Sequence, residues 1–128
     1  MEEDGVLEVL STEVWPCNFL QRIDNNSPLT PEHTQLLLGW LKDTPTGPHR
    51  IKEELPAGTI VMHKTGLSGS ANGLTYATND IGLITLPDGR RLAIAVFVTD
   101  SKADDPTRDA VIARIAKAAY DAALASHN

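Results

Sequence analysis

Leu92-Ala93-Ile94-Ala95-Val96-Phe97-Val98 runs for seven apolar residues without a polar interruption. A half-buried strand alternates apolar and polar side chains, so this run predicts a strand covered on both faces and central in its sheet. Asp80–Leu86 reads as a second strand just upstream. Pro87-Asp88-Gly89-Arg90 joins the two as a hairpin turn, because Pro presets φ and Gly accepts positive φ. A third β-rich run, Thr59-Ile60-Val61-Met62-His63-Lys64, leads into the small residues of Gly66-Leu67-Ser68-Gly69.

Helices flank this block. Downstream, Asp105 can cap a helix with Pro106 at its first position, and Val111, Ile112, Ile115, Ala119, Ala122 and Ala123 form its buried stripe. Upstream, Thr30 as N-cap, Pro31 and Glu32 open a helix over 31–43, with Leu36, Leu37, Trp40 and Leu41 as its apolar stripe. Thr44-Pro45-Thr46-Gly47-Pro48 ends it, and a short helical turn is expected around Arg50–Glu54. The order helix, strand, strand, strand, helix predicts an α+β fold: a three-stranded antiparallel meander with the C-terminal helix packed on it. The first segment, 1–27, is harder to read. Pro16 is expected to break any helix through it, and Asn25-Asn26-Ser27-Pro28 reads as a loop.

The composition narrows the function classes. The chain has 128 residues, 41% of them hydrophobic and 22% charged, with a formal net charge of −6. That is one domain or a piece of one, too apolar to be disordered. An acidic balance argues against a phosphate-binding surface, because Lys and Arg supply that affinity, so nucleic acid is not expected as a partner. No apolar run approaches the roughly 20 residues of a membrane span, so no membrane partner is expected. The start, Met1-Glu2-Glu3-Asp4, is acidic where an export signal is basic and then apolar, so as written the chain reads as cytoplasmic.

A single cysteine, Cys17, rules out an intrachain disulfide, and the four histidines at 33, 49, 63 and 127 form no ligand-spaced pair. No metal or cofactor is expected. Asp104-Asp105 reads as helix capping, and Gly66, Gly69 and Gly73 follow a strand without making a phosphate loop.

Lys64-Thr65-Gly66 is the motif with chemical content. Taken alone, it fits a solvated lysine at a strand end followed by a turn glycine. K-T-G is also one of three signature elements of class A β-lactamases and penicillin-binding proteins, beside S-x-x-K and S-D-N. The wider string His63-Lys64-Thr65-Gly66-Leu67-Ser68-Gly69, then Thr78-Asn79-Asp80-Ile81-Gly82, then Leu86-Pro87-Asp88-Gly89-Arg90, resembles the C-terminal portion of class A serine β-lactamases. Thr46-Gly47-Pro48-His49-Arg50-Ile51-Lys52 and Leu55-Pro56-Ala57-Gly58-Thr59 place the resemblance in the extended-spectrum branch typified by the PER and VEB enzymes. It covers about residues 28–124. Residues 28–128 thus read as the incomplete C-terminal part of such a domain, and 1–27 match poorly.

The resemblance implies roles for particular residues. Lys64 would set a positive potential beside the nucleophile as a buried ammonium, and Thr65 would donate its hydroxyl to the substrate carboxylate. Gly66 would keep the strand wall clear for the ligand. Leu67 would supply a backbone N–H to the oxyanion hole, although the branch has a small or hydroxyl residue there. Ser68 and Gly69 would shape the pocket rim. Arg50 falls where the branch places a guanidinium for the substrate carboxylate, with a plain surface arginine as the competing reading. Asn79 and Asp80 look structural.

The resemblance also implies a β-lactam as small-molecule partner, no cofactor, and the periplasmic or secreted setting of the family. Yet none of the serines at 11, 27, 68, 70, 101 and 126 has a lysine three residues later, and no S-D-N occurs. The deacylating glutamate of the family is not identified among these residues either. Acyl transfer needs nucleophile, base and two oxyanion donors together, so the chain alone is expected not to hydrolyse β-lactams. Strand 92–98 is expected to become an exposed edge, and the chain to need the missing N-terminal half of the fold as its partner. A D,D-peptidase or penicillin-binding-protein fragment, and a non-catalytic β-lactam-binding domain, are the competing readings. The Thr-Asn-Asp strand and the Leu-Pro-Asp-Gly-Arg hairpin favour the lactamase.

Overall fold

The structure, a computed structural model, describes residues 15–25 and 28–126. Its elements in chain order are α1 (Trp15–Asp24), α2 (Pro31–Lys42), β1 (Val61–Leu67), β2 (Ser70–Ala71), β3 (Leu74–Thr85), β4 (Arg91–Ser101) and α3 (Asp105–Ala125). The α+β expectation holds. β3 lies between β1 and β4, antiparallel to both, and the two-residue β2 pairs with its beginning. Thr65 stands opposite Asp80 across β1–β3, and Gly82 opposite Ile94 across β3–β4.

The apolar run therefore predicted one property of β4 correctly and one incorrectly. Leu92 through Val96 are buried, with α3 on one face and α1 on the other. Among the described residues, however, β4 hydrogen-bonds only to β3, so it is an edge and β3 is the central strand. The expectation of an edge is the one that holds. Side-chain pattern reports whether the faces of a strand are covered and carries no information about its edges.

Strand alternation divides the core in two. Toward α3 point Val61, Ile84, Leu92, Ile94 and Val96, meeting Ile112, Ala116, Ala119 and Tyr120 of the helix and Ile51 and Leu55 from the preceding turns. Toward α1 and α2 point Met62, Leu83, Ala93 and Ala95, meeting Cys17, Leu20, Ile23 and Leu38. Gly82 is what lets β1 and β3 approach on the α3 side. A Cβ there would stand 2.6 Å from the Met62 carbonyl oxygen and 2.8 Å from His63 Cβ.

The residues before Trp15, where a helix running through Pro16 would have to lie, are outside the described residues, and α1 as described begins at Trp15. Pro16 occupies the first turn of α1, where the backbone N–H it lacks has no intrahelical acceptor in any case. Several local expectations are corrected. The cap of α3 is Asp104, whose carboxylate accepts from Thr107 N–H at 3.0 Å, and Pro106 is then the second helical residue. Val111 and Ala122 are exposed, and the buried stripe runs through Ile112, Ala113, Ala116, Ala119, Tyr120 and Ala123. On α2, Leu36 and Trp40 are exposed while Leu38 is buried. With apolar residues on several sides of that helix, the sheet decides which ridge is covered.

Arg50–Glu54 forms successive i→i+3 turns, with Glu53 N–H bonded to Arg50 C=O at 3.1 Å. The β2–β3 hairpin was not anticipated, though its signal stands in the chain: Asn72-Gly73, with φ of 54° and 76°, is the preferred pair for a two-residue hairpin turn. No helix among the described residues is long and apolar enough to cross a membrane.

Candidate functional site

β1 carries the motif, and its alternation sorts the motif between two faces. Met62 lies in the α1–α2 core and Val61 in the α3 core, so Lys64 and Gly66 share the first face and His63, Thr65 and Leu67 the second. Lys64 is exposed, and its ammonium donates to the Thr65 carbonyl at 2.6 Å. The expected buried ammonium is thus corrected: among the described residues Lys64 is exposed. Thr65 is half-buried and donates its hydroxyl to Thr46 Oγ1 at 3.0 Å. At Gly66 a Cβ would meet only the Asn79 side chain, at 3.6 and 3.7 Å. Those are ordinary contacts, so no neighbour among the described residues demands glycine at that position.

The backbone of Leu67 follows from the ladder. Ser68 N–H bonds Ala77 C=O and Thr85 N–H bonds Ile60 C=O, one at each end of the β1–β3 register. In an antiparallel pair these bonds fall on alternate residues, so the even-numbered residues of β1 face β3. The N–H groups of Thr65 and Leu67 therefore point off the open edge of β1. The Leu67 side chain is exposed. Ser68 is tied inward: its hydroxyl accepts from Ala77 N–H at 2.8 Å and donates to the Gly69 carbonyl at 2.9 Å.

Arg50 is buried, at 8% exposure, which removes the reading as a surface arginine. Its Nε donates to Asp109 of α3 at 2.8 Å, and its Nη1 donates to the carbonyls of Gly66 at 3.2 Å and Asn79 at 2.8 Å. The guanidinium thus braces the end of the wall against β3 and α3. Its Nη2 makes no hydrogen bond among the described residues, which leaves two N–H groups for an outside carboxylate.

Beside it lies a buried pair whose partnership was not legible in the chain. Asp80 is fully buried, and its two oxygens lie 2.9 and 3.0 Å from His63 Nδ1. One of them also accepts from Ile51 N–H at 3.2 Å. Asp80 therefore fastens together β1, β3 and the turn that carries Arg50, which bears out its reading as structural. His63 Nε2 is buried without a partner among the described residues. On the same face of the sheet Arg108 of α3 donates to Thr78 Oγ1 at 2.8 Å. At the start of α3, the side-chain and then the backbone hydrogen bond from Thr107 hold Asp104 below the usual carboxylate range.

Among the described residues no three His, Cys, Asp or Glu side chains gather as a metal-ligand set. A concavity of about 510 Å³ lies toward the β3–β4 hairpin, lined by Gln21, Asp24, Leu83, Gly89, Arg91 and Ala93. It is away from the K-T-G wall.

Residues 17–123 match the model of the β-lactamase enzyme family. The chain belongs to that family. The extended-spectrum β-lactamase PER-1 of Pseudomonas aeruginosa is 49% identical over 102 residues, which are 80% of this chain and 33% of that protein. β-Lactamase VEB-1, also of Pseudomonas aeruginosa, is 41% identical over 98 residues, 77% of this chain and 33% of that protein. Among solved structures, a β-lactamase from Chitinophaga pinensis superposes with a TM-score of 0.82 at 46% identity, covering 84% of this chain and 40% of that one. A class A β-lactamase from Bacteroides cellulosilyticus gives 0.81 at 37% identity, covering 86% and 40%. The chain spans about a third of the length of the curated relatives it matches. The class A resemblance, its PER/VEB-like branch and the α+β fold all stand.

Proposed function

We infer that these residues carry the carboxylate-binding wall of a class A serine β-lactamase, the C-terminal portion of its domain. In that reaction a serine hydroxyl attacks the lactam carbonyl, backbone N–H groups hold the resulting oxyanion, and the amide C–N bond breaks to leave an acyl-enzyme that water hydrolyses. Leu67 supplies one oxyanion donor from the open edge of β1. Thr65 and the free Nη2 of Arg50 hold the substrate carboxylate, a fork suited to two oxygens. Lys64 supplies positive potential on the other face of the strand, and Gly66 leaves room for the ligand.

One observation carries the reading: the K-T-G strand of a family member ends at an outward backbone N–H, beside a buried arginine that keeps one nitrogen available. No serine in the chain has a lysine three residues on, so the nucleophile belongs to a segment this sequence does not contain. Alone, the chain binds and does not turn over.

The test is a titration of the 128-residue chain with benzylpenicillin, followed by amide shifts, alongside a chromogenic cephalosporin assay. Shifts confined to residues 64–68 and Arg50, with no steady hydrolysis and no covalent adduct by mass spectrometry, are expected. Steady turnover, an acylated chain, or shifts centred elsewhere would overturn the reading. An adduct without turnover is the outcome that would favour a D,D-peptidase fragment.

A further inference from the structure

The loop that ends α2 lies directly against the motif threonine, and it does more there than fill space. Thr65 Oγ1 donates to Thr46 Oγ1 at 3.0 Å, and Thr46 Oγ1 lies 3.1 Å from Thr44 Oγ1. The methyl side of Thr65 is closed by Gly47. That residue has φ of +63°, and a Cβ on it would stand 2.3 Å from Thr65 Cγ2, a distance no carbon pair tolerates. The same Cβ would lie 3.6 Å from Arg50 Cδ and 3.7 Å from His63 Cε1. Thr65 is therefore gripped on its methyl side by backbone and on its hydroxyl side by a second hydroxyl.

We propose that Thr44, Thr46 and Thr65 form a three-hydroxyl relay that sets the direction in which Thr65 donates, with Thr46 as its positioning residue. A hydroxyl has one donor and two acceptor sites, so a chain of hydroxyls has a direction. With no ligand bound, the proton of Thr65 points along the chain to Thr46. A carboxylate at the wall takes that proton. Thr46 then turns to donate to Thr65, and Thr44 can donate to Thr46 in turn. No proton is transferred; only the C–O torsions change. With every hydroxyl pointing toward the anion, each bond polarises the next, so Thr65 becomes a better donor than an isolated threonine. Gly47 crowds the methyl side of Thr65, and the hydroxyl contact with Thr46 completes the choice of rotamer.

This inference rests on the reading of the wall as a carboxylate site, and its test separates the two. The isosteric variant Thr46→Val removes the hydroxyl and keeps the shape, and Thr46→Ser restores the hydroxyl. In the ligand-free chain, three-bond couplings report the χ1 rotamer of Thr65. We expect a single rotamer in the unaltered chain and in Thr46→Ser, and averaged couplings in Thr46→Val. Unchanged couplings in Thr46→Val overturn the relay.

Titration with benzylpenicillin and with its methyl ester supplies the second readout. Thr46→Val should weaken the acid by about two- to tenfold, the effect of one net hydrogen bond, and leave the ester unmoved. Equal loss for both ligands means that Thr46 only supports the fold, and also overturns the relay. If neither compound binds the unaltered chain, the carboxylate-site reading fails by itself while the couplings still decide the relay.

Discussion

Replacing Asp80 by alanine probes the joint that holds the site together. Asp80 is fully buried and satisfies two donors, His63 Nδ1 at 2.9 Å and Ile51 N–H at 3.2 Å. Alanine leaves both without an acceptor in a dry interior, at about 1–3 kcal/mol each, or about 2–6 kcal/mol together. The expected loss is therefore about 4 kcal/mol, a large share of the roughly 5–15 kcal/mol that holds a domain together.

Urea unfolding followed by far-ultraviolet circular dichroism reads it. With a slope of about 2 kcal/mol/M, the midpoint should fall by about 2 M at unchanged slope. Asp80→Asn keeps one acceptor oxygen and should lose less. A double-mutant cycle with His63→Ala isolates the pair, and the double variant should be clearly more stable than the summed single losses imply. A loss under about 1 kcal/mol for Asp80→Ala, or additivity within about 0.5 kcal/mol, refutes the view that this pair fastens the wall.

Three further outcomes follow from the geometry. Gly82→Ala forces a methyl group to within 2.6 Å of the Met62 carbonyl, so it should cost at least about 1–3 kcal/mol and shift the amide resonances of 62–66, whereas unchanged stability would contradict the close β1–β3 approach. Native-state hydrogen exchange should alternate along β4. The β1–β3 ladder directs the even-numbered residues of β3 toward β4, so Ile94 and Val96 should be protected and Ala93, Ala95 and Phe97 exchange fast; uniform protection in a monomer would show that something covers the edge. Asp104, held below the usual carboxylate range by Thr107, stabilises α3 fully above the ordinary carboxylate pKa, and that stabilisation is lost as pH falls through its lowered native value. Asp104→Asn still caps the helix but does not titrate, so the acid limb of helix loss should be shallower in the variant, and identical limbs would refute the assignment.

Much of this molecule was legible one segment at a time. Thr30 caps α2 through His33 N–H, Pro87–Arg90 turns the chain, and the apolar run makes a strand whose first five residues, Leu92 to Val96, are buried on both faces, because each outcome depends on groups within a few residues of one another. Lys64-Thr65-Gly66 was readable for another reason: its order among flanking strings is specific to a family. What escaped were quantities that depend on which surface meets which. Leu36 and Trp40 were read as core because a helix with apolar residues on several sides leaves the choice to its neighbour.

The amino-acid order by itself determined α2, α3, the three long strands and the Pro87–Arg90 turn through short-range sterics, capping and pattern, and it carried the motif whose flanking strings resemble the family. Only the tertiary structure decided that β4 is an edge, that Lys64 is exposed, and that Arg50 reaches Asp109, fifty-nine residues away, while His63 reaches Asp80, seventeen away. Periodicity encodes which face of an element is buried. Strand order and the pairing of distant polar groups depend instead on how the elements are stacked, and no local pattern carries that information.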